Sequence, residues 1–138
     1  MQVETDPVGN LHGVLQGSDP EAKSIVIDSH MDTVMQGGVY DGMLDVTGAK
    51  YSTPCDPRLI KLIDDVCTEK EISHVIMPSG AGHDANAMAH EGVPIGMIFV
   101  PSVKGISHQG DEYTKPEHID MGADVLYQTV LKLDENGF

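Results

Sequence analysis

Three short apolar runs rich in β-branched residues, at 24–28, 74–77 and 94–100, recur along a 138-residue chain, and helical patterns fill much of the chain between them. Runs of that length bounded by polar and turn residues read as buried strands, and strands alternating with helices build a layered α/β domain. The expected architecture is a single domain over residues 1–138, with a mixed, mostly parallel sheet flanked by helices. Its length admits one hydrophobic core rather than two. Residues 8–15 read as a further strand, joined through Gly17-Ser18-Asp19-Pro20 to the 24–28 run and expected to pair with it. Asp56 followed by Pro57 marks a helix start, and Leu59, Leu62, Ile63 and Val66 share one face of that helix. A short helix is expected over 84–91. The last helix carries Thr114 and Glu117 at capping-box spacing, with Ile119, Leu126, Val130 and Leu133 as its buried stripe.

The charge balance, 22 acidic against 8 basic side chains and a formal net charge of −14, excludes nucleic acid and anionic membrane as partners, since both require clustered Lys and Arg. No apolar stretch has the length of a membrane span, and the first residues lack a basic start followed by an apolar core. A cytoplasmic protein is the expectation. Cys55 and Cys67 stand twelve residues apart, a spacing that favours neither a structural disulfide nor a thiolate metal site. With no Trp and two Phe, the core has to be built from Ile, Val, Leu and Met.

In an open α/β sheet the carboxyl ends of the strands form the ligand crevice. Three strand ends here carry chemistry: His30 with Asp32 and Asp41, then Gly80-Ala81-Gly82-His83-Asp84, then Ser107-His108. Imidazole nitrogen with carboxylate oxygen is the donor mix of zinc, or of manganese where geometry permits. Asp32, two residues past His30, is spaced to accept the second ring N–H of a ligand imidazole and so fix its tautomer. Any one of these histidines alone reads as a loop residue; their combination points to a metal centre. His12, His74, His90 and His118 read as surface or capping histidines. Glu112, four residues after His108, either orients that imidazole or stands solvated in its loop.

The strings SHMDTVMQGGVYDG, MPSGAGHDA and IFVPSVKGISHQGDEYTKPEHI, in that order, resemble the co-catalytic metallopeptidase and amidohydrolase family that includes N-carbamoyl-L-amino-acid hydrolases, allantoate amidohydrolases and β-ureidopropionases. The resemblance implies a shortened zinc-exopeptidase-like catalytic domain that hydrolyses linear C–N bonds of small N-carbamoyl or ureido acids. It implies two divalent ions, zinc or manganese. His30 would be a terminal ligand of one ion, Asp41 the bridging carboxylate and His108 a terminal ligand of the other. Asp32 would orient His30, and His83, beside Asp84, would line the cleft in a supporting catalytic role. The departures are equally specific. The family's run of glutamates, which supplies the proton-shuttling base and a further ligand, has no counterpart, because no two glutamates are adjacent in this chain. The inserted second domain of the family is also absent, so an internal deletion junction is expected near 44–52. The alternative reading is a catalytically impaired remnant that binds metal or self-associates into a homo-oligomer through uncovered sheet edges.

Overall fold

The computed structural model describes residues 1–7, 9–28, 53–79 and 81–137. The chain divides into two units, Met1–Met31 and Asp32–Phe138. In the first unit, β1 (Gln2–Thr5) and β2 (Leu11–Val14) form an antiparallel ribbon with Gln2 opposite Val14 and Thr5 opposite Leu11. Its connection is closed by Asp6. The Asp6 carboxylate accepts the Asn10 backbone N–H at 2.9 Å and the Asn10 side-chain amide at 2.8 Å, while Gly9 takes φ 98°, a conformation open to glycine at little cost. The partner of β2 is thus β1 and not residues 24–28, which corrects the expected pairing. A local hairpin closes a short loop, whereas pairing with 24–28 would order a longer one. The turn forms two residues later than expected, over 19–22, with the Ala22 N–H donating to the Asp19 carbonyl at 3.3 Å and the Asp19 carboxylate accepting the Glu21 N–H at 2.9 Å.

The second unit is organised by α1 (Pro57–Glu69) and α3 (Pro116–Asn136), with the short α2 (Ala85–His90) between them in sequence. The start of α1 follows from its residues. Asp56 Oδ1 accepts the Arg58 N–H at 2.8 Å, Pro57 occupies the first helical position, and the Arg58 guanidinium returns to the same carboxylate at 2.8–3.0 Å. Side-chain hydrogen bonding from Arg58 holds the Asp56 carboxyl below its ordinary range. At its other end α1 closes in a Schellman arrangement. Ile72 N–H donates to the Cys67 carbonyl at 2.9 Å and Glu71 N–H to the Thr68 carbonyl at 3.0 Å, with Glu71 in the left-handed region at φ 55°. The same closure ends α2, where Val93 donates to Met88 and the left-handed residue is Gly92.

Among the described residues, Val66, Cys67 and Val125 are buried together, with Ile63, Ile72 and Ile98 packed against them, and Ile95 is buried as well. Burial pushes the Cys67 thiol pKa up, and both cysteines are free. Lys70 meets Asp124 at 2.7 Å and Lys132 meets Glu69 at 2.6 Å, tying α1 to α3 with ion pairs near the surface. Exposed pairs of this kind each contribute about 0–1 kcal/mol. Alignment of the two helices therefore rests on the apolar contact.

Both helices and strands are present, in keeping with an α/β chain. The mixed, mostly parallel sheet is not formed among the described residues, whose single ladder is β1 with β2. Residues 24–28 and 74–77 lie outside regular structure, and Val75, Ile76 and Met77 are 78%, 67% and 58% exposed. Apolar composition marks a segment that tolerates burial, but a strand exists only where a neighbour completes its hydrogen bonds. Residues 94–100 dock on helices instead. The Ile95 carbonyl accepts the Asp56 N–H at 2.8 Å, and a Cβ placed on Gly96 would stand 3.0 Å from Leu59 Cβ. A Cβ on Gly122 of α3 would stand 2.5 Å from Val100 Cγ1. That close approach sets the rotation of α3. Val125 and Thr129 are its buried residues, Val130 and Leu133 are half-buried, and Ile119 and Leu126 of the expected stripe are exposed. Thr129 satisfies its buried hydroxyl by donating to the Val125 carbonyl at 2.8 Å.

The capping box of α3 does not form either. The cap is Lys115, extended at φ −66° and ψ 140°, with no side-chain bond. Pro116 prefers the first helical position and forces an extended residue before it, which moves the cap one residue past Thr114.

Candidate functional site

His83 enters the site from the loop before α2. Its carbonyl accepts the Asn86 N–H at 2.9 Å, so the residue is fixed to the first turn of that helix. The imidazole Nε2 lies 2.6 Å from Ser79 Oγ, and Ser79 Oγ also accepts the Ala81 N–H at 3.2 Å. Phe99 packs against the ring with centroids 5.8 Å apart and planes tilted by 54°. A hydrogen bond on one edge and an aromatic contact define the orientation of a half-buried ring. Ser79 was absent from the residues expected to matter. The signal for it was its four-residue spacing from His83 across the glycine pair, which lets one serine hydroxyl reach back to the ring.

His108 stands in a loop whose neck is tied twice. Val103 N–H donates to the Tyr113 carbonyl at 2.8 Å, and Ser102 Oγ donates to the Ile106 carbonyl at 2.6 Å. After the 3-10 turn Val103–Gly105, His108 takes φ 59°, an uncommon left-handed conformation for a side-chain-bearing residue. Glu112 Oε2 accepts its backbone N–H at 2.8 Å. Glu112 therefore serves the His108 backbone, a third outcome beside the two expected for it. Backbone strain of this kind persists where surrounding bonds over-determine it, and it concentrates at functional sites.

His30, Asp32 and Asp41 lie outside the described residues, as does the expected junction at 44–52. Among the described residues no group of three or more His, Cys, Asp or Glu side chains is arranged to hold a metal ion. His83 and His108 without the first motif do not make a metal site. Elsewhere, His12 Nε2 lies 3.4 Å from Asp6, in keeping with a surface histidine. His74 is more constrained than expected: Nδ1 lies 2.7 Å from the Ile72 carbonyl and Nε2 lies 2.7 Å from Asp64. Hydrogen bonding to the Ile72 carbonyl, then to Asp64, raises its pKa. His118 Nδ1 is buried without a hydrogen-bond partner among the described residues. No described helix is long and apolar enough to cross a membrane.

The family model for peptidase family M20/M25/M40 matches residues 43–132, a stretch that contains both His83 and His108. Ureidoglycolate hydrolase of Arabidopsis thaliana is 44% identical over 78 residues, which cover 56% of this chain and 16% of that protein. N-carbamoyl-L-amino-acid amidohydrolase of Pseudomonas sp. (strain NS671) is 42% identical over 84 residues, 61% of this chain and 20% of that protein. Allantoate amidohydrolase of Escherichia coli (strain K12) is 37% identical over 83 residues, 60% of this chain and 20% of that protein. The aligned stretch thus spans about a fifth of the length of these curated relatives. No solved structure matches the chain. The ordered strings around His30, His83 and His108 and the match over 43–132 agree: the chain belongs to peptidase family M20/M25/M40.

Proposed function

We propose that this chain is a metal-dependent amidohydrolase scaffold acting on linear C–N bonds of small N-carbamoyl or allantoate-like ureido acids. One observation carries the reading: the stretch matched to the family contains His83 and His108, each held by a dedicated local partner, Ser79 and Glu112. In this reading His30, Asp41 and His108 hold zinc or manganese, Asp32 orients His30, and His83 contacts the substrate. Divalent ions bound there would supply Lewis acidity toward the amide or ureido carbonyl and a more acidic water. A net charge of −14 favours cations at the protein, and the Glu112 bond fixes the His108 backbone within its loop. Without a glutamate pair to serve as base, turnover is expected about 10²–10⁴ below that of an enzyme with a positioned base.

Equilibrium dialysis against manganese and zinc tests the ligand assignment. Saturable uptake by the native chain, reduced in both His30→Ala and His108→Ala, supports it; uptake unchanged in both variants sinks it. A second reading, an impaired remnant that self-associates, is favoured by the consecutive exposure of Val75, Ile76 and Met77. Sedimentation velocity decides that point, since a mass independent of concentration and equal to one chain excludes a homo-oligomer.

A further inference from the structure

We infer that Ser79 is a positioning residue that fixes the neutral imidazole of His83 as the Nδ1–H tautomer, so that the ring presents an N–H donor to an oxygen of the substrate. The inference rests on the proposed role of His83 as a substrate contact and adds which atom makes that contact and what holds it there. A serine hydroxyl has one proton to give and two lone pairs to offer. Ser79 Oγ accepts the Ala81 N–H at 3.2 Å with one lone pair, and among the described residues Nε2, 2.6 Å away, is the one acceptor in reach of its hydrogen, to which we assign it. An Nε2 that accepts must be unprotonated in the neutral ring, which places the proton on Nδ1. The Phe99 contact, at 5.8 Å and 54°, opposes rotation of the ring about its Cβ–Cγ bond, which would exchange the two edges.

A donor at that position suits substrates of one chemical class. The carbonyl oxygen of an N-carbamoyl or ureido group and the carboxylate of the same molecule are both acceptors, whereas an ammonium group in that place would face an N–H. His83 in this state therefore recognises the acyl or carboxylate end and discriminates against a cationic one.

The test uses no turnover, so its outcome is separate from that of the hydrolase reading. Long-range 15N–1H correlation spectra of the metal-free protein, taken at a pH where histidines are neutral, report the tautomer of each imidazole. The native protein is expected to show His83 with an unprotonated Nε2 and a protonated Nδ1. Ser79→Ala is expected to lose that single-tautomer signature and give an exchanging ring, and Ser79→Thr, which keeps the hydroxyl, is expected to restore it. Backbone amide spectra that superpose on the native protein beyond residues 79–83 identify variants that remain folded. A native His83 protonated at Nε2 would overturn the inference, as would an Nδ1–H signature that survives unchanged in Ser79→Ala.

Discussion

Glu71 holds a backbone conformation, φ 55°, that L residues adopt only at a cost of about 1–2 kcal/mol, and it does so because the Schellman closure of α1 needs a left-handed residue there. Gly92 occupies the equivalent place after α2 without that cost. Glu71→Gly is therefore expected to raise stability by about 0.5–1 kcal/mol, once the greater chain entropy of glycine in the unfolded state is counted. Urea denaturation measures it, and a loss of stability would contradict the strain assignment. His74 gives a pH dependence at the same scale. Its two ring nitrogens face the Ile72 carbonyl and the Asp64 carboxylate, so the folded state favours the imidazolium and the folded pKa lies above the ordinary value. A raised folded pKa contributes stability that is fully present below the unfolded value of about 6.5 and is lost as pH rises through the folded value. NMR titration is expected to place His74 above that ordinary value, and Asp64→Asn to lower it; titration at or below the ordinary value in the native protein would refute the account. Neither feature was legible in the sequence. Glu71 looks like any surface glutamate, and the partner of His74 lies ten positions away on a helix whose exit angle the sequence does not specify.

At the scale of elements, sequence and structure agree where the signal is local. Asp56-Pro57 starts α1, the short helix expected over 84–91 forms as Ala85–His90, and Asp19 makes a turn, because each depends on groups within a few residues. They part where the outcome depends on a neighbour. The 94–100 run is apolar enough for a buried strand, yet it packs on α1 and α3, and Gly122 admits Val100 so closely that the buried stripe of α3 turns away from Ile119 and Leu126. Gly122→Ala tests this contact. The added methyl meets Val100, costing about 1–3 kcal/mol in overpacking against about 1 kcal/mol gained in helix propensity, so net destabilisation is expected. In a Val100→Ala background the same substitution should be neutral or stabilising, because the opposing methyl is gone. Equal penalties in both backgrounds, read from thermal melts, would show that the contact does not set the helix rotation.

For the whole molecule, the candidate site was legible mainly as lineage. The three strings identified the family that the match over 43–132 establishes, and two of the five named residues, His83 and His108, lie where the described structure gives each a local partner. Ser79 was legible only as a spacing from His83 and the role of Glu112 not at all, since hydrogen bonds of a side chain to a ring edge or a backbone N–H depend on loop geometry and not on residue type. The central claim, that this chain is a metal-dependent amidohydrolase scaffold, is tested most directly by ammonia release from N-carbamoyl amino acids and allantoate with added manganese or zinc. Release that requires the metal, stops on chelation and disappears in His30→Ala is the predicted result. No release with either metal and either substrate class, or release indifferent to chelation, would contradict it.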